Sequence, residues 1–177
     1  MGRAGTIWLV GAMGAGKSSV GPALARRLGR RFVDTDAEIE REQGQAVAAI
    51  FARAGEPAFR ALEREMVTRW LGEPAVVALG GGAIVEAGVR SAVARAGTVV
   101  WLRARPETLL ARLGEAASRP LLAGLSEAAR LARLREILAE REAAYASAAL
   151  VVDTDGCGVD EVVERVARGL SAREAAA

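Results

Sequence analysis

Two short stretches carry residue types whose spacing could do chemistry. The first is Gly11-Ala12-Met13-Gly14-Ala15-Gly16-Lys17-Ser18, a full match to G-x-x-x-x-G-K-[ST]. Glycines at these positions let backbone N–H groups converge on phosphate oxygens without a Cβ in the way. A helix starting at Lys17 adds the positive end of its dipole. Lys17 then reaches the β- and γ-phosphates, and the Ser18 hydroxyl is placed to ligate Mg²⁺. Gly14, Ala15, Gly16, Lys17, Ser18 and Ser19 therefore form the expected set for binding a nucleoside triphosphate, with Mg²⁺ as cofactor. The second stretch is Asp34-Thr35-Asp36. Its aspartates are the only acids directly after a buried strand near the loop, so magnesium, a phosphoryl acceptor or both fall to them. Thr35-x-x-Glu38 also reads as a helix capping box, which accounts for Thr35 and Glu38 but for neither aspartate.

Composition narrows the chemistry further. The 177 residues contain no histidine and one cysteine, so Ser-His-Asp and Cys-His catalysis and Cys₄ zinc sites are excluded. Of 24 basic residues one is a lysine, and it is Lys17. Net charge is +2, aromatics make up 4% of the chain, and no segment interleaves basic and aromatic residues. Nucleic acid is thus not an expected partner. No apolar run approaches the ~18 residues that span a bilayer, so no membrane association is expected. Cys157 has no partner for an internal disulfide, and a cytoplasmic setting follows.

The elements that must position these residues alternate. Buried-strand candidates lie at 6–10, 31–34, 75–79, 98–102 and 150–152. Helical stretches lie between and after them at 17–28, 36–54, 57–71, 86–96, 106–113, 127–145 and 159–170. Such alternation implies an α/β fold with a parallel sheet covered on both faces, whose ligands sit outside the carboxyl ends of the strands. Residues 114–125, rich in Gly, Ser, Arg and Pro, read as a mobile loop, and 171–177 as a tail that frays. Nothing divides the chain, so residues 1–177 read as one domain, and a monomer is expected.

The ordered motifs GAMGAGKSS, FVDTDAEIE, FRALE at 59–63, LGGGA at 79–83, RPLL at 119–122, and Arg141 followed by Tyr145 resemble the shikimate kinase family over about residues 7–170. The resemblance implies a three-layer P-loop kinase fold, with a five-stranded parallel sheet flanked by helices. It also implies a helical substrate-binding region at about 34–63 and a lid at about 112–125. The implied reaction moves the ATP γ-phosphoryl group to the 3-hydroxyl of shikimate, a step of chorismate and aromatic amino-acid biosynthesis. Carried onto this sequence, Asp36 holds the substrate hydroxyls, Arg60 and Arg141 hold its carboxylate, and Gly81 and Gly82 contact it. Arg119 closes on the phosphates as a lid arginine. Ser18 binds the one Mg²⁺ of each subunit directly, and Asp34 orients it through water. Lys17, Asp36 and Arg119 form the implied catalytic set. Phe51 and Phe59 are candidate walls for the carbocycle.

One departure from the family stands out. The stretch Asp153-Thr154-Asp155-Gly156-Cys157-Gly158 lacks the basic residue often found near the adenine. Adenine contacts are left to Arg112 or to backbone groups. Two rival functions remain: another small-acid kinase such as a gluconate kinase, and a non-catalytic nucleotide-binding module. The combined DTD, FR-x-x-E, GGG and RPLL series disfavours the first. A competent residue at every inferred catalytic position disfavours the second.

Overall fold

The computed structural model describes residues 5–114 and 121–176. Its elements run β1 (Thr6–Val10), α1 (Lys17–Arg27), β2 (Arg31–Asp34), α2 (Thr35–Gln43) and α3 (Val47–Trp70). They continue through β3 (Ala75–Ala78), a 3₁₀ turn at Ala83–Val85, α4 (Ala87–Ala96) and β4 (Gly97–Arg103). The last four are α5 (Pro106–Leu113), α6 (Glu127–Ala146), β5 (Leu150–Asp153) and α7 (Val159–Ala175). The five strands form one sheet in the order β2-β3-β1-β4-β5, and every pairing is parallel.

The pleat of β1 sorts the core into two layers. Ile7 and Leu9 face α1, α5 and α7, packing with Val20, Leu24, Leu109, Val162 and Val166. Trp8 and Val10 face the other side, where Val67, Val89, Val93, Trp101 and Tyr145 come from α3, α4, β4 and α6. A strand buried on both faces needs an unbroken apolar run, which is why β1 reads TIWLV without alternation. A third, smaller core of Ile39, Ile50, Phe59 and Met66 joins α2 to α3 and stiffens the region beside the sheet. No helix among the described residues is long and apolar enough to cross a membrane.

Three expectations are corrected. The helix expected over 36–54 stops at Gln43, because Gly44 takes the left-handed conformation (φ 63°) and caps α2. The break expected near 55 is a kink within α3, where Gly55 has φ 80° and ψ 171° before Pro57. The tail expected to fray beyond 170 continues as helix to Ala175. Arg173 anchors this last turn, donating from Nη1 to the carbonyl of Ala149 at 2.9 Å.

Candidate functional site

The chain crosses from β1 to β2 on one side of the sheet and reaches β4 and β5 on the other. A crevice therefore opens at the carboxyl ends of the central strands. The glycine-rich loop follows β1 into this crevice. Gly16 caps α1 with φ 101°, which a side chain would resist. Lys17 folds back over the loop, its Nζ donating to the carbonyl oxygens of Gly11 at 2.7 Å and Ala12 at 3.3 Å. The ammonium thus stands where a phosphate chain cradled by the loop would meet it.

Beside it, the Ser18 hydroxyl donates to Oδ2 of Asp34 at 2.9 Å. Asp34 also caps α2, its Oδ1 accepting from the backbone N–H of Asp36 at 3.1 Å and of Ala37 at 3.3 Å. The capping box expected on Thr35 is therefore corrected. Thr35 is buried and its hydroxyl points at β3, donating to the Ala78 carbonyl at 3.2 Å and accepting from the Gly80 N–H at 3.0 Å. This one hydroxyl ties the end of β2 to the glycines after β3, and so fixes Asp36 against them.

Those glycines are shaped by what surrounds them. A Cβ on Gly80 would lie 2.5 Å from Oδ1 of Asp36 and 2.6 Å from Oε1 of Glu63. On Gly81 it would lie 3.0 Å from Nη1 of Arg141, and on Gly82 2.6 Å from Nη2 of Arg60. Asp36, Arg60 and Arg141 thus converge on one loop, each pressed against a different glycine. The same Cβ on Gly81 would be 3.7 Å from the Gly11 carbonyl, the acceptor of Lys17. Phosphate end and acid end are neighbours. Tyr145 locks the arrangement, its hydroxyl donating to the Gly81 carbonyl at 2.9 Å while its ring stacks on Trp101. Arg141 is one helical turn earlier on the same face of α6 and contacts that hydroxyl. Burial pushes the Tyr145 phenol up, against the opposing pull of Arg141.

Arg60 is held from two sides. Its Nη1 donates to Oε2 of Glu63, and its Nε and Nη2 donate to Oε1 of Glu56 at 3.2 and 2.9 Å. The Glu63 side chain is 3% exposed. Burial pushes its carboxyl up to about 6; Arg60 pulls it down and Asp36 adds to the rise. Burial alone would lower the Arg60 guanidinium, but Glu63 and Glu56 more than offset this.

The sequence signal for Glu63 and Glu56 was their i+3 and i−4 spacing from Arg60. Neither was assigned a role from the sequence; Glu63 and Tyr145 entered only as parts of motifs, and Glu56 did not enter at all. Phe59 is buried in the core between α2 and α3, with Phe51 against it at a ring separation of 4.6 Å. Arg112 reaches across to the segment after β5, donating to the hydroxyl and carbonyl of Thr154 at 2.9 and 2.5 Å. It also approaches the Gly14 carbonyl at 3.4 Å. Asp153 and Asp155 do not join the site: Arg103 holds the first in a fork, and the N–H of Arg105 donates to the second. Arg119, and with it much of the expected lid, lies outside the described residues.

A phosphate-cradling loop at the mouth of a five-stranded parallel sheet, facing a pocket with paired arginines and a carboxylate, defines a P-loop phosphotransferase acting on a small acid. The family model described as shikimate kinase matches residues 13–171. A shikimate kinase of Symbiobacterium thermophilum is 46% identical over 171 residues, 94% of this chain and 97% of the relative. The solved shikimate kinase of Acinetobacter baumannii in complex with shikimate superposes with a TM-score of 0.89 at 34% identity, covering 96% of this chain and 94% of that one. A gluconokinase of Sinorhizobium meliloti shares the fold at 20% identity, with a TM-score of 0.62. The chain belongs to the shikimate kinase family, whose reaction is the ATP-dependent phosphorylation of shikimate.

Proposed function

We propose that Arg60 and Arg141 bind the shikimate carboxylate and that Asp36 aligns the 3-hydroxyl for in-line attack on the ATP γ-phosphorus. The carrying observation is the convergence of these three side chains on Gly80–Gly82, a loop whose Gly81 abuts the phosphate loop. Arginine's planar fork suits a carboxylate, and two forks on one acid fix its orientation as well as its place. Lys17 neutralises charge on the transferred group. With no histidine in the chain, the hydroxyl proton goes to Asp36 or to the phosphate itself. In a loose transition state positioning and electrostatics dominate, so a strong base is not required. The glycine amides and Tyr145 keep the pocket in shape for the acid.

Ser18 and Asp34 supply a hydroxyl and a carboxylate 2.9 Å apart, hard oxygen donors that fit Mg²⁺. They would hold the one ion of each chain, Asp34 through water, and that ion would neutralise phosphate charge. A hydroxyl and a carboxylate leave the ion to take its remaining ligands from phosphate and water. Arg112, lying between the loop and Thr154, is the proposed contact for the nucleotide base. On the same reading the enzyme works in the cytoplasm as a monomer.

The test is Asp36→Asn assayed by coupled ADP release, with nucleotide binding measured in parallel. Turnover should fall at least about 100-fold while ATP affinity stays within about twofold. Near-normal turnover would remove Asp36 from the mechanism.

A further inference from the structure

Arg60 presents two edges, and carboxylates of the protein hold both. Glu63, buried, takes Nη1; Glu56 takes Nε and Nη2 with a single oxygen. With Nη1 committed, the Nε/Nη2 edge is the fork that a ligand carboxylate can grip with two parallel bonds. Glu56 and the substrate acid therefore compete for the same donors. We propose that Glu56 is an internal competitor for the substrate carboxylate, exchanged for it on binding, and so sets affinity and selectivity for acids at this fork. The inference rests on the assignment of Arg60 to the substrate carboxylate.

The two glutamates differ in a way that separates anchor from competitor. The Glu63 side chain is 3% exposed and that of Glu56 is 63% exposed. Losing Glu63 would strip the half-buried Arg60 guanidinium of its inner partner. Losing Glu56 leaves Arg60 oriented by Glu63 and frees its outer fork. Glu56 is also placed to leave, because it follows Gly55, where α3 is interrupted by a non-helical backbone. The cavity it borders, about 410 Å³, also contains Arg141, Gly82 and Glu140, so a departing Glu56 has solvent to enter. An ordinary helix-surface ion pair at i, i+4 is the competing explanation. Such a pair would not sense whether the ligand carries a charge.

Exposed pairs of this kind hold their partners by about two- to five-fold in equilibrium terms. That is the size of effect expected when the competition is removed. Shikimate binding is measured by calorimetry at low salt for the parent protein, Glu56→Gln and Glu140→Gln. The last variant removes an acid from the same cavity that pairs with Arg133 rather than with Arg60. Glu56→Gln should bind shikimate about two- to five-fold tighter, while Glu140→Gln changes by less than about 1.5-fold. In steady state the gain should appear as a lower KM with kcat unchanged. The methyl ester of shikimate, which has no charge to exchange, should show no gain. Equal or weaker shikimate binding by Glu56→Gln would overturn the proposal, as would an equal gain in Glu140→Gln or with the ester. Arg60→Gln separates the two levels. If it leaves shikimate affinity intact, the assignment of Arg60 itself falls. If it weakens binding and Glu56→Gln still gives no gain, only the competitor role falls.

Discussion

Replacing Gly80 with alanine puts a methyl group between the two carboxylates of the acid pocket. The backbone there does not require glycine, since Gly80 is not among the positive-φ residues, so the cost is one of space alone. The new Cβ would lie 2.5 Å from Asp36 and 2.6 Å from Glu63, whereas ordinary contact begins at 3.4 Å. Asp36 and Glu63 must therefore withdraw by about 0.9 and 0.8 Å, or the loop must shift by a similar amount. Glu63 is buried against Arg60, and Asp36 sits on a segment pinned through Thr35, so neither moves freely. A misplacement near 1 Å at a group that aligns the nucleophile costs on the order of 100-fold in rate. Overpacking should cost about 1–3 kcal/mol of stability, leaving a folded enzyme. The assay is kcat by coupled ADP release, with thermal unfolding followed by circular dichroism. Gly88→Ala, in the first turn of α4 with only Glu86 nearby at 3.7 Å, is the matched control and should keep its turnover. A Gly80→Ala enzyme with kcat within threefold of the parent would refute the reasoning.

Other outcomes follow from the same contacts. Thr35→Val keeps the shape but leaves the Gly80 N–H and the Ala78 carbonyl without the hydroxyl that serves both. It should lose about 1–3 kcal/mol in denaturant unfolding and a larger share of kcat than of ATP affinity. Glu63 titrates near 6 in the folded chain against 4.5 as a free side chain. Its contribution is therefore greatest below pH 4.5 and is lost as pH rises through 6. The stability of Glu63→Gln relative to the parent should accordingly improve by about 2 kcal/mol between pH 4.5 and 7; a flat difference across that window would contradict the burial effect. Arg173→Ala removes the bond to the Ala149 carbonyl, and hydrogen exchange should speed up in the last turn of α7 with under about 1 kcal/mol lost overall.

Much of this protein is written in local sequence. The strand runs and intervening helices are legible because a two-faced parallel sheet demands unbroken apolar strands. The phosphate loop is legible because its backbone geometry demands glycines at fixed spacing, and the lone lysine stands within it. Asp34, Asp36, Arg60 and Arg141 could be singled out by motif position, though 23 arginines made residue type uninformative. Gly44, by contrast, was a break hidden in a polar helical pattern, since a single left-handed residue leaves little periodic trace. The roles of Thr35, Glu63 and Tyr145 depend on partners 43 to 64 residues away or on the burial of one carboxylate. Only the packed sheet brings Gly80 against Asp36 and Glu63, Gly81 against Arg141, and Gly82 against Arg60. Sequence alone determined which groups could meet a phosphate and an acid. Tertiary structure decided which of them are buried, which are held by another charge, and how little room lies between them, because desolvation and steric contact arise only when distant segments share space.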